Sequence, residues 1–401
     1  MADNTKITVI IPTRDRSDVL RHSLLTALNQ DYDNLNVVVC DNDSHDNTRD
    51  IVMSISNLDS RIKYVKTTKR LSMSRNWEFA LSHVKDGWVT VLGDDDGLMP
   101  GAIENVADII KHEKVSAVQS KTCSYIWPTD NMDYGRLSME LNEGGEVRDA
   151  GRWLDHVLHG KAHYLNLPTL YTGGFVDYDL VARAKKIGGD FYHSMTPDVF
   201  SSIALANFVS RYMYLRHSLA IGGASKHSTG SSSYATGSKE GMTAAKKFYS
   251  EGNIPFHEDL PLNPDGTVPR STHLLVYEAW LQARKAGMIP DDRVTLDREE
   301  QLGIILASTK SKHREELSRW AISFSAMHDV RYEAAKNKAL LLGGVHRISK
   351  EYRRISAILR TITIQGDSML PMKNVFEASM VAATVRRVKG HISKGPQKNI
   401  T

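Results

Sequence analysis

Three nearly uninterrupted apolar runs constrain this chain more than any other feature. Residues 7–11 (ITVII), 35–40 (LNVVVC) and 88–92 (WVTVL) are rich in Val and Ile and lack an alternating polar face. Such runs read as strands covered on both sides, as in parallel sheets. Segments of helical spacing lie between them. Leu20, Leu24, Ala27 and Leu28 follow the cap-type residues Asp15 and Ser17, Ile51, Val52 and Ile55 follow the second run, and Trp77, Ala80, Leu81 and Val84 follow Ser72. Short strands at 62–65 and 115–118 and a helix at about 102–110 extend the series. Strand and helix in alternation build βαβ units, so an α/β fold with a mainly parallel sheet flanked by helices is expected.

Ligands of such sheets bind beyond the carboxyl ends of the strands. The polar breaks at Pro12–Arg16, Asp41–Ser44 and Gly93–Asp96 all fall on that rim. One such cluster would be an ordinary turn; three together point to a site.

With 401 residues the chain has room for two domains, or for one large domain and an appendage. Apolar residues at 41% and charged residues at 24% exclude a mostly disordered chain. Cys40 and Cys123 are too few for a disulfide scaffold or a cysteine zinc site, and fit a reducing compartment. Residues 1–10 lack a signal-peptide layout, and no run approaches about 18 apolar residues. A cytoplasmic location is expected, peripheral at most on the inner face of the membrane.

From about Cys123 the pattern is irregular, with a helix at 198–209. A Gly/Ser-rich stretch fills 222–241, and four of the 12 prolines fall in 253–270. Helical patterns resume after Ser271, with further helices at 313–343, 345–360 and 373–389. The expected organisation is a first domain over 1–245, an extended linker over 246–270 and a helical region over 271–401. From Lys336 onward 13 Lys/Arg face 3 Asp/Glu, a net +10 that leaves −6 on the rest. A net +4 overall is too mild to imply nucleic acid. Arg347, Lys350, Arg353 and Arg354 interleave with Val345, Ile348, Ile355 and Ile358, a pattern suited to an anionic membrane surface, to a homo-oligomer contact or to a solvated helical face.

Asp94, Asp95 and Asp96 are the sharpest chemical feature. Adjacent carboxylates repel one another and are best tolerated beside a cation. Oxygen ligands favour hard ions such as Mg²⁺ or Mn²⁺, and Asp94 and Asp96 point to one side if the turn is extended.

The segments ITVIIPTRDRSDVLRHSLLTALNQ, VVVCDNDSHDNT, SRNWEFAL and VTVLGDDDGLMPGAI resemble, in that order, a family 2 glycosyltransferase with the GT-A fold. The similarity covers residues 6–115 well and 165–232 loosely. It implies an inverting transfer from a nucleotide diphosphate donor, usually a UDP-sugar, to a hydroxyl of a glycan or lipid-linked acceptor, commonly in bacterial surface polysaccharide synthesis. It also implies that 94–96 is the family's DxD element, with Asp94 and Asp96 on Mn²⁺ or Mg²⁺ and Asp94 and Asp95 against the donor. Pro12, Thr13 and Arg14 would rest against base and ribose. Asp41 would accept from the uracil ring, Asp43 would touch the nucleotide or cap a helix, Arg70 would reach the ribose or a phosphate or stand exposed, and Arg75 and Asn76 would lie beside the nucleotide or the metal-binding turn. Gly173 and Gly174 would let backbone approach the sugar. His227, or its competitor His217, would complete the metal site. Asp198 matches the catalytic base, with a plain helix cap as the alternative. Trp153, Tyr164 and Tyr171 would line an acceptor groove or the core. The rivals are a haloacid-dehalogenase-type phosphatase and a non-catalytic nucleotide- or carbohydrate-binding module.

Overall fold

The computed structural model describes residues 5–228, 251–290, 293, 295–309, 313–342 and 360–393. Strands β1 (Ile7–Thr13), β2 (Leu35–Asp41), β3 (Ile62–Lys66) and β4 (Trp88–Val91) lie parallel in the order β3-β2-β1-β4. Parallel neighbours need crossovers, supplied by α1 (Ser17–Leu28), α2 (Thr48–Ser56) and α3 (Met73–Leu81). Ile7, Val9 and Ile11 of β1 and Val37 and Val39 of β2 enter one core, while Ile10, Val38 and Cys40 enter the other. Both faces of the sheet are covered, which is why these runs show no polar alternation.

Beyond β4 the ladder departs from the expected parallel pattern. β9 (Gly174–Asp177) inserts antiparallel between β4 and β6 (Ala117–Ile126), and β7 (Arg136–Glu140) and β11 (Thr361–Gln365) continue antiparallel. β10 (Arg211–Ala224) runs parallel to β6, and antiparallel to β5 (Gly97–Leu98) and β8 (Gly145–Asp149). β6 reaches Ile126, well past the expected 115–118. Its second half alternates Cys123 and Tyr125 inward with Thr122 and Ser124 outward, as a half-buried strand should.

The remaining helices are α4 (Ala102–His112), α5 (Ala150–Leu158), α6 (Tyr178–Gly188), α7 (Pro197–Leu205), α8 (Thr272–Lys285), α9 (Arg298–Ser308), α10 (Arg314–His328), α11 (332–342) and α12 (Val375–Ser393). Every residue of α7 except Asp198 is buried. α8, α9 and α10 share the core of α5, α6 and α7 on one face of the sheet. Val375, Ala378 and Ala382 of α12 join the core of α1 and α4 on the other.

Residues 253–270 are irregular, but Leu260 and Val268 are buried and Trp320 Nε1 donates to the Pro261 carbonyl at 2.6 Å. The helix expected over 313–343 is broken at Asp329, whose φ of 52° ends α10. The chain then returns to the main sheet as β11. The basic residues Arg347, Lys350, Arg353 and Arg354 lie outside the described residues. No described helix is long and apolar enough to cross a membrane.

Candidate active site

The ends of β1, β2 and β4 meet along one rim, where the segments after them interlock. The Thr13 carbonyl accepts from Asn42 N at 2.9 Å. Asn42 pairs twice with Leu71, its Oδ1 accepting from N and its Nδ2 donating to O, both at 2.8 Å. Asp41 is buried; its Oδ1 accepts from Ser44 N at 2.8 Å and its Oδ2 from the Tyr64 hydroxyl at 2.5 Å. Burial and the Asp41 carboxylate hold the Tyr64 phenol well above its usual range. At the mouth, Arg70 pairs with Asp15 at 2.5 Å and Lys66 with Asp43 at 3.3 Å. Asp15 and Asp43 both adopt left-handed φ, 51° and 52°, conformations Asp tolerates better than most residues. Arg14, just outside partly buried Pro12 and buried Thr13, pairs with Glu251 at 2.8 Å.

Each member of the triple aspartate has its own protein partner. Asp94 Oδ1 takes Arg16 Nη1 at 2.7 Å, and Arg16 Nη2 donates to the His227 carbonyl at 2.5 Å. Asp95 Oδ2 accepts from Ser225 Oγ at 2.6 Å, from Ser225 N at 3.3 Å and from Ser228 Oγ. Asp96 Oδ1 accepts from Gly223 N at 2.7 Å and its Oδ2 from Thr172 Oγ1 at 2.5 Å. Burial raises the Asp94 carboxyl, with Arg16 opposing and Asp95 adding. Burial and then Asp95 push Asp96 up to about 7.

The expected metal donors therefore do not converge. His227 Nε2 faces Asp18 at 3.0 Å, and His217 is buried on β10 near Arg386 and Glu143. Among the described residues no three His, Cys, Asp or Glu side chains are grouped to hold a metal. The charge that a cation would balance at Asp94 is balanced by Arg16.

Asp198 is the second residue of α7, with Thr196 at the cap position, so it is not the helix cap. It is partly exposed, and its Oδ2 accepts from the Tyr164 hydroxyl at 2.7 Å. Burial raises its carboxyl and the Tyr164 bond opposes this. The Tyr171 phenol is raised first by burial and then by the nearby Asp96, Asp95 and Asp198. Trp77 stands 5.5 Å from Tyr171 and 5.9 Å from Tyr192, centroid to centroid. Trp153 instead packs on Arg148, whose guanidinium lies 3.7 Å from its ring centroid.

Two expected contacts fall elsewhere. Arg75 points to solvent and pairs with Asp190 at 2.6 Å, whereas its neighbour Asn76 is buried. Gly173 (φ +92°) and Gly174 are tight against protein. A Cβ there would meet Ser120 Oγ at 2.7 Å and the Thr169 carbonyl at 2.0 Å respectively. Close packing of this turn on β6 at Gly173, and on Thr169 and β6 at Gly174, accounts for both glycines. Sequence reasoning missed Arg16, Ser225, Ser228 and Thr172, because a partner on a distant segment leaves no local signal.

Fold and site together define an α/β protein with a polar, acidic rim at the carboxyl edge of its sheet, where such folds bind ligands. Residues 8–165 match the profile of glycosyl transferase family 2. It is 32% identical over 102 residues to a GalNAc(5)-diNAcBac-PP-undecaprenol beta-1,3-glucosyltransferase of Campylobacter jejuni, a match covering 25% of this chain and 33% of that one. It is also 32% identical over 111 residues to the Escherichia coli UDP-Glc:alpha-D-GlcNAc-diphosphoundecaprenol beta-1,3-glucosyltransferase WfaP, covering 27% and 43%. The matched stretch thus spans between a third and a half of these relatives. Among solved structures, Staphylococcus aureus TarS 1-349 in complex with UDP-GlcNAc superposes at a TM-score of 0.47 and 14% identity, over 86% of this chain and 92% of that one.

Proposed function

We propose that this protein is an inverting glycosyltransferase. It moves a sugar from a nucleotide diphosphate, a UDP-sugar in the simplest case, to a hydroxyl of a lipid-linked or glycan acceptor in bacterial surface polysaccharide synthesis. One observation carries the reading: Asp198, partly exposed and bonded to the Tyr164 hydroxyl, lies near enough to Tyr171 to raise its phenol together with Asp95 and Asp96 of the rim.

Inverting transfer needs one base. Asp198 takes the proton of the acceptor hydroxyl as that oxygen bonds to the anomeric carbon. The bond from that carbon to the diphosphate breaks, and the diphosphate leaves with the electron pair. A phosphate leaving group needs no protonation, so a paired acid of the glycosidase kind is unnecessary. Arg14 and Arg16 are the cations the β1–α1 segment brings to the rim, where negative charge develops. Asp41, Asp43, Asn42 and Arg70 form the part of the rim that this reading gives to base and ribose. The names of the relatives favour an acceptor attached to undecaprenyl diphosphate. Mn²⁺ or Mg²⁺ would supply further charge neutralisation, but the side chains as placed do not form its site, and no step depends on it.

The test is calorimetric titration of UDP with and without Mn²⁺, alongside transfer from UDP-sugars to a saccharide on undecaprenyl diphosphate. Asp198→Asn should bind UDP like the parent and lose transfer by about 10²–10⁴-fold. UDP binding with no turnover across donors and acceptors would show a non-catalytic binding module instead.

A further inference from the structure

Glu278 is the most deeply buried acid in the helical region, wholly inaccessible in the middle of α8 and outside the family-matched residues. A buried carboxyl is costly unless its hydrogen bonds are met, and here they are directed. Its Oε2 accepts from Ser194 Oγ at 2.5 Å, and its Oε1 from Gln282 Nε2 at 2.8 Å. Gln282 is held in turn by the Pro255 carbonyl at 2.9 Å. Burial pushes Glu278 up to about 7.

Ser194 lies four residues before Asp198. Its Oγ accepts from Thr196 N at 3.3 Å, and its carbonyl accepts from Ser74 Oγ of α3 at 2.5 Å. The other end of this approach is held by a second glutamate. Glu78 Oε2 accepts from Phe191 N at 2.8 Å and from Tyr192 N at 3.0 Å, and Lys185 pairs with Glu78 Oε1. The segment delivering Asp198 is thus clamped by α3 on one side and by α8 on the other.

We propose that Glu278 is a positioning residue: by gripping Ser194 it fixes the turn through Thr196 and hence the direction in which Asp198 presents its carboxylate to the acceptor. The proposal rests on Asp198 being the base. A displacement of a fraction of an ångström at a reacting group costs rate rather than binding, because proton transfer needs close alignment.

Ser194→Ala, Glu278→Gln, Glu278→Leu and Asp198→Asn, each in the full chain, test it by melting temperature, UDP Kd, acceptor KM and kcat. Ser194→Ala and Glu278→Leu should lower kcat by about 10–100-fold, with UDP Kd and acceptor KM held within about twofold of the parent. Glu278→Gln keeps an oxygen for Ser194 and should retain most of kcat. The Ser194→Ala/Glu278→Leu double variant should be no slower than the worse single, because both remove one contact. Should Glu278→Leu fail to fold, Ser194→Ala still decides, since it removes one hydroxyl and leaves Glu278 and Gln282 in place. Parent-like kcat in Ser194→Ala, or losses that follow the folded fraction alone, overturns the positioning role while an inactive Asp198→Asn keeps the base. If Asp198→Asn turns over normally, the base assignment falls and takes the positioning role with it.

Discussion

Removing Arg16 should destabilise the protein far more than removing another paired arginine. The Arg16 side chain is 24% exposed and that of Asp94 5%, whereas Arg75 and Asp190 are 53% and 47% exposed. Breaking a buried pair by deleting one partner leaves an uncompensated charge and costs about 3–5 kcal/mol. Deleting one partner of an exposed pair costs about 0–1 kcal/mol. In Arg16→Ala the stranded Asp94 also faces Asp95, and the His227 carbonyl loses its donor. An unfolding entropy of about 2.1 cal/mol/K per residue gives roughly 0.8 kcal/mol/K for this chain, so the loss should appear as a fall in Tm of about 4–6 °C. Calorimetry on Arg16→Ala, Arg75→Ala and Arg16→Ala/Asp94→Asn is the assay, and the double variant should regain much of the loss because the amide carries no charge. If Arg16→Ala melts within about a degree of Arg75→Ala, Arg16 is not the cation that compensates the acidic turn.

Gly223→Ala should cost about 3 kcal/mol or more in urea unfolding, because its Cβ would lie 1.8 Å from the Asp95 carbonyl, and neither backbone can yield. Gly222→Ala, which meets only the Cys123 carbonyl at 3.7 Å, should be close to neutral. Tyr164→Phe removes the bond that lowers the Asp198 carboxyl, so the pKa rises. A base works only when deprotonated, so the acid limb of the kcat–pH profile should move to higher pH, and a profile that stays put or moves down refutes the contact. A chain ended after residue 342 should bind ANS and fail to elute as a monomer, because β11 and the buried face of α12 are lost from the core.

The first half of the fold was legible because its signal is local. Uninterrupted Val and Ile runs mark strands covered on both faces, and β1, β2 and β4 lie where such runs occur. β11 was missed, although Thr361–Gln365 (TITIQ) alternates β-branched residues as an edge strand does; the basic helical pattern before it masked the change of period. The antiparallel insertion of β9 left no signal either. A four-residue strand takes its partner from topology, and Gly174 reveals its purpose only once Thr169 and Gln119 are seen against it.

The same distinction divides the site. Which residues stand on the rim follows from where strands end, and Asp41, Asp94, Asp95 and Asp96 stand there. What their carboxylates do depends on segments about 80 to 130 residues away: Arg16, Thr172, Gly223, Ser225 and Ser228. Like charges crowded in a buried turn demand compensation. Motif reasoning supplies a metal because a metal is the compensation that needs no knowledge of the rest of the chain. Here a guanidinium, four hydroxyl or backbone donors of the Thr172 and Gly223–Ser225 segments, and one more hydroxyl at Ser228 meet that demand from within. Under the proposed function, a divalent ion brought by a donor diphosphate would meet Arg16 already on Asp94 Oδ1, and the free energy of that exchange, rather than the presence of the aspartates, would decide whether turnover depends on metal.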